Sequence, residues 1–174
     1  MNTGRNGMKK IDEIISQIVL MCSIYANNKS YVYKSTKNNI IILKLFVEKS
    51  ITNEKRCVKV FQSAKFRTNC AQVIRIISKI NPDPTCIIQE CRSYYNTSFI
   101  YKIGEIITIP DFNYNMDEVC TTGIHYFHDV VTAYMYYITI HWLISNNLYG
   151  NFITYNFDGS ICQKLNVDTK GVLT

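Results

Sequence analysis

The run NIIILKLFV, residues 39–47, constrains the fold of this chain more than any other stretch. It is apolar and largely β-branched, with no alternation and no helical period, which is how a strand covered on both faces reads. Such a strand needs neighbours at its edges and layers above and below it. The flanking sequence supplies them: CAQVIRIIS (70–78) has the alternation of a half-buried strand, KRCVKVF (55–61) alternates basic with apolar residues, and YVYKS (31–35) precedes a KNN turn at 37–39. Upstream, KKIDEIISQIVLMCSIY sets Ile11, Ile14, Ile15, Ile18, Val19 and Met21 or Cys22 on one side at helical spacing, with Asp12 and Glu13 in the first turn. An amphipathic helix that covers the sheet is expected there, ending at Asn27 and Asn28.

The segment NPDPT (81–85) must be a turn, because Pro82 and Pro84 cannot donate to a ladder. Short strands are expected at CIIQEC (86–91), FIYKI (99–103) and EIITI (105–109), with Gly104 turning between the last two and Pro110 closing them. GIHYF (123–127) reads as a strand, and HDVVTAYMYYITIHWLIS (128–145) as a buried helix capped by Asp129. GNFITYN (150–156), Asp158-Gly159 and SICQKLNV (160–167) read as a hairpin. The expected fold is α+β: one domain over residues 8–174 after a polar tail at 1–7. A curved, mainly antiparallel sheet packs on the N-terminal helix and on the helix at 128–145. The chain's 174 residues, 47% of them apolar, suit a single core. The bias toward Ile, Asn, Lys and Tyr inflates β-propensity, so the patterning weighs more than the composition.

Charge is divided unevenly. Residues 1–80 carry 15 Lys and Arg against 4 acidic residues, and residues 81–174 carry 4 against 9. The basic half spreads its charges at strand-like spacing, as solvated strand faces do, and holds no basic run of the kind that tracks a phosphate backbone; nucleic acid remains a weak alternative partner for it. Seven Cys is an odd number and no secretory signal pattern precedes them, so reduced thiols in a cytosolic setting are expected. IISQIVLMCSIYA (14–26) is broken by Ser16 and Gln17 and is short of the ~20 apolar residues a membrane span needs. No membrane partner is expected.

Chemistry-bearing residues gather in CTTGIHYFHDVVTAYMYY (120–137). Cys120, His125 and His128, with Cys86 or Cys91 as a fourth ligand, are the candidate zinc set. Two residues separate the histidines and four separate Cys86 from Cys91, a spacing unlike that of usual closed zinc sites, so no metal is expected. Cys120, His125 and Asp129 are the candidate nucleophile, base and orienting acid. The alternative for the whole stretch is a packed corner, with His125 bonded to a carbonyl. Thirteen tyrosines, paired at 94–95 and 136–137, suit a protein-contact surface at least as well as base stacking.

The segments KFRTNCAQVIRI (65–76), SFIYKIGEIITIPDF (98–112) and CTTGIHYF, followed by Ala133 and a tyrosine, resemble an uncharacterised domain of large DNA viruses often attached to pentapeptide repeats. The resemblance covers roughly residues 30–137. Phe66 and Cys70 depart from the Cys and Lys usual in that domain, which argues against a catalytic role for either. More distantly, GIHYFHDVVTAYMYY is similar to the strand and helix that wall the nicotinamide pocket of poly(ADP-ribose) polymerases. His125 would replace their ring-stacking Tyr, and GNFITYN would stand for the strand that bears their catalytic Glu. The last glutamate here is Glu118, so that Glu is missing and group transfer is not implied.

Two functions follow as expectations. One is a non-enzymatic viral protein that contacts viral or host proteins or further copies of itself, in the host cytoplasm, the replication compartment or the virion. The other is a nucleotide or ADP-ribosyl-type pocket at His125, Tyr126 and Tyr134, joined by Tyr101 and Lys102 from the resembling segment, with a convergent carboxylate and no transferase activity. Neither calls for a cofactor.

Overall fold

A helix with acidic residues in its first turn and apolar residues every third or fourth position should lie with one stripe on the core. In the computed structural model, which describes residues 8–173, it does. The two-residue strand β1 (Lys9–Lys10) leads into α1 (Ile11–Ala26), which buries Ile11, Ile14, Ile18 and Cys22 and ends at Asn27. The polar tail expected at 1–7 lies outside the described residues.

β2 (Tyr31–Ser35) and β3 (Asn39–Lys44) form an antiparallel hairpin, and Ile40–Leu43 are fully buried, as a strand covered on both faces must be. The chain then loops to β4 (Phe66–Thr68) and β5 (Cys70–Ser78). The strand expected at 55–61 does not form. Arg56 instead donates to the Lys65 and Phe157 carbonyls, and the Lys59 and Val60 amides both donate to the Asp158 carbonyl. The alternation of KRCVKVF comes from a loop laid over the C-terminal hairpin. Gly159 (φ 84) makes that approach possible, since a Cβ there would sit 2.0 Å from the Val60 carbonyl oxygen.

Three short strands follow, β6 (Glu90–Arg92), β7 (Ile100–Lys102) and β8 (Ile106–Thr108). Gly104 has φ 84, but β7 pairs with β6 and β8 pairs with β5, so this turn passes the chain from one sheet to another. β9 (Ile124–Tyr126) pairs with β4 and is tied to β2 by the Tyr33–Phe127 bridge.

The helix expected at 128–145 is two helices, α2 (Val130–Met135) and α3 (Ile140–Ser145). Asp129 caps α2 through the Thr132 amide, as expected, but Tyr137 adopts φ 69 and Thr139 starts α3 with its own side-chain cap. Two polar groups fix the break, because the Tyr136 carbonyl accepts from Lys79 Nζ (2.8 Å) and Ser35 Oγ (2.9 Å) instead of from a following helical amide. β10 (Leu148–Tyr155) and β11 (Ile161–Val167) form the expected hairpin, with β1 added in parallel.

The architecture is α+β, and every strand pairing but β1–β10 is antiparallel. The strands fall into four small sheets ordered β2-β3-β5-β8, β1-β10-β11, β4-β9 and β6-β7. One apolar cluster joins α1, α2, α3 and the C-terminal hairpin; a second lies under β3, β5 and β9. No helix is long and apolar enough to cross a membrane among the described residues.

Candidate functional site

His125 and Tyr126 are successive residues of β9, so their side chains point to opposite sides. On the His125 side the cross-strand partner is Arg67. Arg67 is fully buried, and among the described residues no carboxylate oxygen lies within 4 Å of its guanidinium, although the Glu118 charge favours its protonated form. It donates instead to the backbone carbonyls of Asn113, Asn115, Glu118 (2.7 Å) and Thr122, and lies 4.6 Å from the Phe112 ring centre. A single side chain thereby organises the loop from 111 to 123. Gly123 (φ 148) closes the loop tightly, since a Cβ there would stand 3.1 Å from Phe112 and 3.2 Å from Arg67.

That loop forms one wall of a cleft of about 470 Å³ beside His125. Lys34 and Tyr101, both buried, stand at its base; Tyr94, Tyr95 and Tyr137 stand at its rim with Asp111. Tyr137 stacks on Tyr94 at 4.3 Å and meets Tyr95 edge-on at 5.6 Å. A positive φ at a bulky residue is a strained backbone, and here it turns the Tyr137 ring onto Tyr94.

Burial, with the positive charges of Lys65 and Lys34, lowers the His125 pKa to about 3, so the ring is neutral. Its Nε2–H donates to the Val119 carbonyl at 2.8 Å, which makes Nδ1 the acceptor. Lys34 is lowered to about 8 by burial and by Lys65. Among the described residues its Nζ has one hydrogen bond, to the His125 carbonyl at 3.3 Å, and it sits 5.4 Å from the Tyr101 ring centre. Lys65 donates to Tyr136 Oη (2.8 Å) and approaches Cys120 Sγ (3.7 Å); burial lowers its pKa. Lys79, fully buried and shifted well down by burial, donates to Ser35 Oγ (2.7 Å) and to the Tyr136 carbonyl. Among the described residues no carboxylate oxygen lies within 4 Å of these three amines.

The Tyr126 side is built differently. Tyr126 Oη donates to Glu54 Oε1 at 2.6 Å and His128 Nε2 donates to the same oxygen at 2.8 Å. His128 stacks on Phe61 (4.8 Å) and meets Phe66 edge-on (5.6 Å).

The cleft therefore gathers His125 and Tyr101 of the expected ligand set and leaves out the other three. Tyr126 points away to Glu54, Tyr134 is fully buried under Lys79 with no partner for its hydroxyl among the described residues, and Lys102 is exposed beside Glu90 at 3.7 Å. Asp111 supplies a carboxylate at the rim. The zinc set does not assemble, since His125 is bonded to a carbonyl, His128 to Glu54, and Cys120 contacts Lys65; no three metal-ligating side chains converge among the described residues. The nucleophile set does not assemble either, because Asp129 is occupied at the α2 cap. β10, offered as the strand that would bear a catalytic Glu, pairs with β1 and β11 and not with β9.

Sequence reasoning does not single out Lys34, Lys65, Arg67 and Lys79, because a basic residue inside YVYKS, KFRTN or IISKI reads as part of a solvated strand face. The paired tyrosines were a visible signal, but their convergence across 94, 95 and 137 is tertiary.

Residues 21–133 match the family of unknown function DUF5758. The chain belongs to that family. The matched region runs from within α1 into α2, so it contains β9, the Arg67-held loop and every cleft residue but Tyr137. No curated protein and no solved structure matches the chain.

Proposed function

We propose that the chain is a ligand-binding domain whose cleft beside His125 takes a small molecule with a planar ring, of the nucleotide class. The observation that carries this reading is one opening that joins an aromatic rim to a neutral imidazole acceptor and a buried amine. A volume near 470 Å³ is within the range of small-molecule sites. Tyrosine faces stack on any base, and His125 Nδ1 accepts from a ring N–H or an amide. The reading is of binding alone, without a transfer step. The setting implied by the resemblance, a cell infected by a large DNA virus, belongs to the same proposal.

Thermal shift with adenosine, ADP-ribose and NAD tests it. Wild type should be stabilised by at least one of them. Tyr95→Ala, at a residue 76% exposed and free to change without unfolding the chain, should weaken that response. No shift with any of the three would sink the reading.

A second reading, contact with other proteins, is favoured by a separate surface. Leu20 and Ile24, one turn apart on α1, are 74% and 76% exposed. A protein that sediments as a monomer and co-purifies with no infected-cell component would remove it.

A further inference from the structure

We propose that the base of the cleft is an anion seat: Lys34 Nζ receives the phosphoryl oxygens of the ligand whose ring the tyrosines hold. This rests on the reading of the cleft as a ring-binding site and adds to it the charged half of the ligand.

The first ground is geometric. Lys34 is 8% exposed, lines the cleft, lies near the Tyr101 ring, and among the described residues uses one of its three donors in a hydrogen bond, to the His125 carbonyl. Buried charges in proteins are ordinarily paired. The other buried amines meet that demand from within: Lys79 is shared between a hydroxyl and a carbonyl, and Lys65 between Tyr136 Oη and the Tyr136 and Phe157 rings. Lys34 is the one of the three that borders open space and retains free donors.

The second ground is the field. Burial and Lys65 weaken the charged form of Lys34, and burial with both amines holds His125 neutral, so the base of the cleft carries positive charge with no carboxylate oxygen within 4 Å of either amine among the described residues. The groups that face Lys34 from the packed elements are Tyr101 on β7, Cys91 on β6, His125 on β9 and Lys65 before β4. Burial raises the pKa of Tyr101 and Cys91, so neither is an anion at neutral pH. Asp111 is exposed at the rim and would repel an anion there, which favours a bound ligand with its phosphate at the base and its ring at the rim.

An anion brought against Lys34 raises its pKa, so binding at pH 8.5 must take up protons. The test is calorimetry of the full chain with ADP, adenosine and inorganic pyrophosphate, in two buffers of different ionisation enthalpy at pH 8.5. Wild type and Lys34→Met are compared, with Lys34→Gln as a second neutral variant should the methionine fail to fold. Expected results are ADP binding about tenfold or more tighter than adenosine, pyrophosphate competing with ADP, net proton uptake, and loss of the ADP preference in the variant, whose ADP affinity falls to that for adenosine. Equal affinity for ADP and adenosine, a preference that survives loss of the amine, or ADP binding without proton uptake overturns the anion seat and leaves ring binding standing. Pyrophosphate binding that needs Lys34, with no adenosine binding, upholds the seat and overturns the ring clamp. No binding by any of the three overturns both.

Discussion

The two sides of β9 solve the burial of polar groups in opposite ways. On the Tyr126 side a carboxylate, an imidazole and a phenol share one oxygen, and the charge of Glu54 is met by directed donors. On the His125 side the buried cations Arg67, Lys34 and Lys65 have carbonyls, hydroxyls and rings as partners and, among the described residues, no carboxylate within 4 Å. The first arrangement is complete in itself. The second is complete at Arg67, where four carbonyls take up the guanidinium, and incomplete at Lys34, where open space adjoins the amine. The difference leaves a self-paired network behind the strand and an open cleft in front of it.

The comparison breaks hardest at Arg67. Arg67→Ala removes the donors that hold the loop from 111 to 123 and leaves buried carbonyls unmet, so a loss of about 3–5 kcal/mol is expected, read as a lower Tm. A loss under about 1 kcal/mol would mean that the loop is held by other contacts. Ligand response should vanish with the loop, because Thr122 and Gly123 line the cleft.

Lys34→Met should move stability the other way. Lys34 sits near 8 in the fold against 10.5 for a free lysine, so between those values the unfolded chain binds more protons and wild-type stability rises with pH. Below pH 8 the fold carries the full cost of the buried charge. The methionine variant should then be more stable at pH 7 by on the order of 2–3 kcal/mol, with the advantage shrinking as pH climbs from 8 to 10.5. Denaturant melts at pH 7 and pH 10 measure both. A variant less stable than wild type at pH 7 would show the amine to be structural, as on the Tyr126 side.

Acid separates the two sides by window. Burial and the neighbouring cations hold His125 near 3, below the 6.5 of free histidine, so its contribution is whole above 6.5 and is lost as pH falls toward 3. Burial raises the Glu54 carboxyl, but the hydrogen bonds from His128 and Tyr126 outweigh it and leave it below 4.5; its contribution is whole above 4.5 and fails beneath. Glu54→Gln should cost about 1–3 kcal/mol at pH 7 and flatten the loss below 4.5 while leaving the loss that begins near 6.5. His125→Asn should do the reverse. Identical acid profiles for the two variants would erase the distinction between the sides.

Much of the fold was legible because its signals are local. The stripe of α1, the two-sided burial of β3, the alternation of β5, the Asp129 cap and the Asp158-Gly159 hairpin each follow from residues within one element. The failures are tertiary. The loop at 55–61 is set by the Asp158 carbonyl, about a hundred residues on, and the helix break at Tyr137 by Lys79 and Ser35. For the site, His125 and Tyr101 could be named from sequence; Lys34 could not, since only the packing of β2 distinguishes a buried strand lysine from a solvated one.

Lys102 gives the smallest and most selective test of that point. It follows Tyr101 directly, and the two side chains leave β7 on opposite sides: Tyr101 is buried against Lys34, and Lys102 pairs with Glu90 in solvent. Exposed pairs of this kind contribute little, so Lys102→Ala should change stability by no more than about 0.5 kcal/mol. It should also leave the affinity for ADP unchanged at physiological salt, since screening weakens its field at the cleft. Loss of affinity equal to that of Lys34→Met would mean that general positive charge, and not one buried amine, draws the anion. The asymmetry between Lys34 and Lys102 is then what the binding measurement reads.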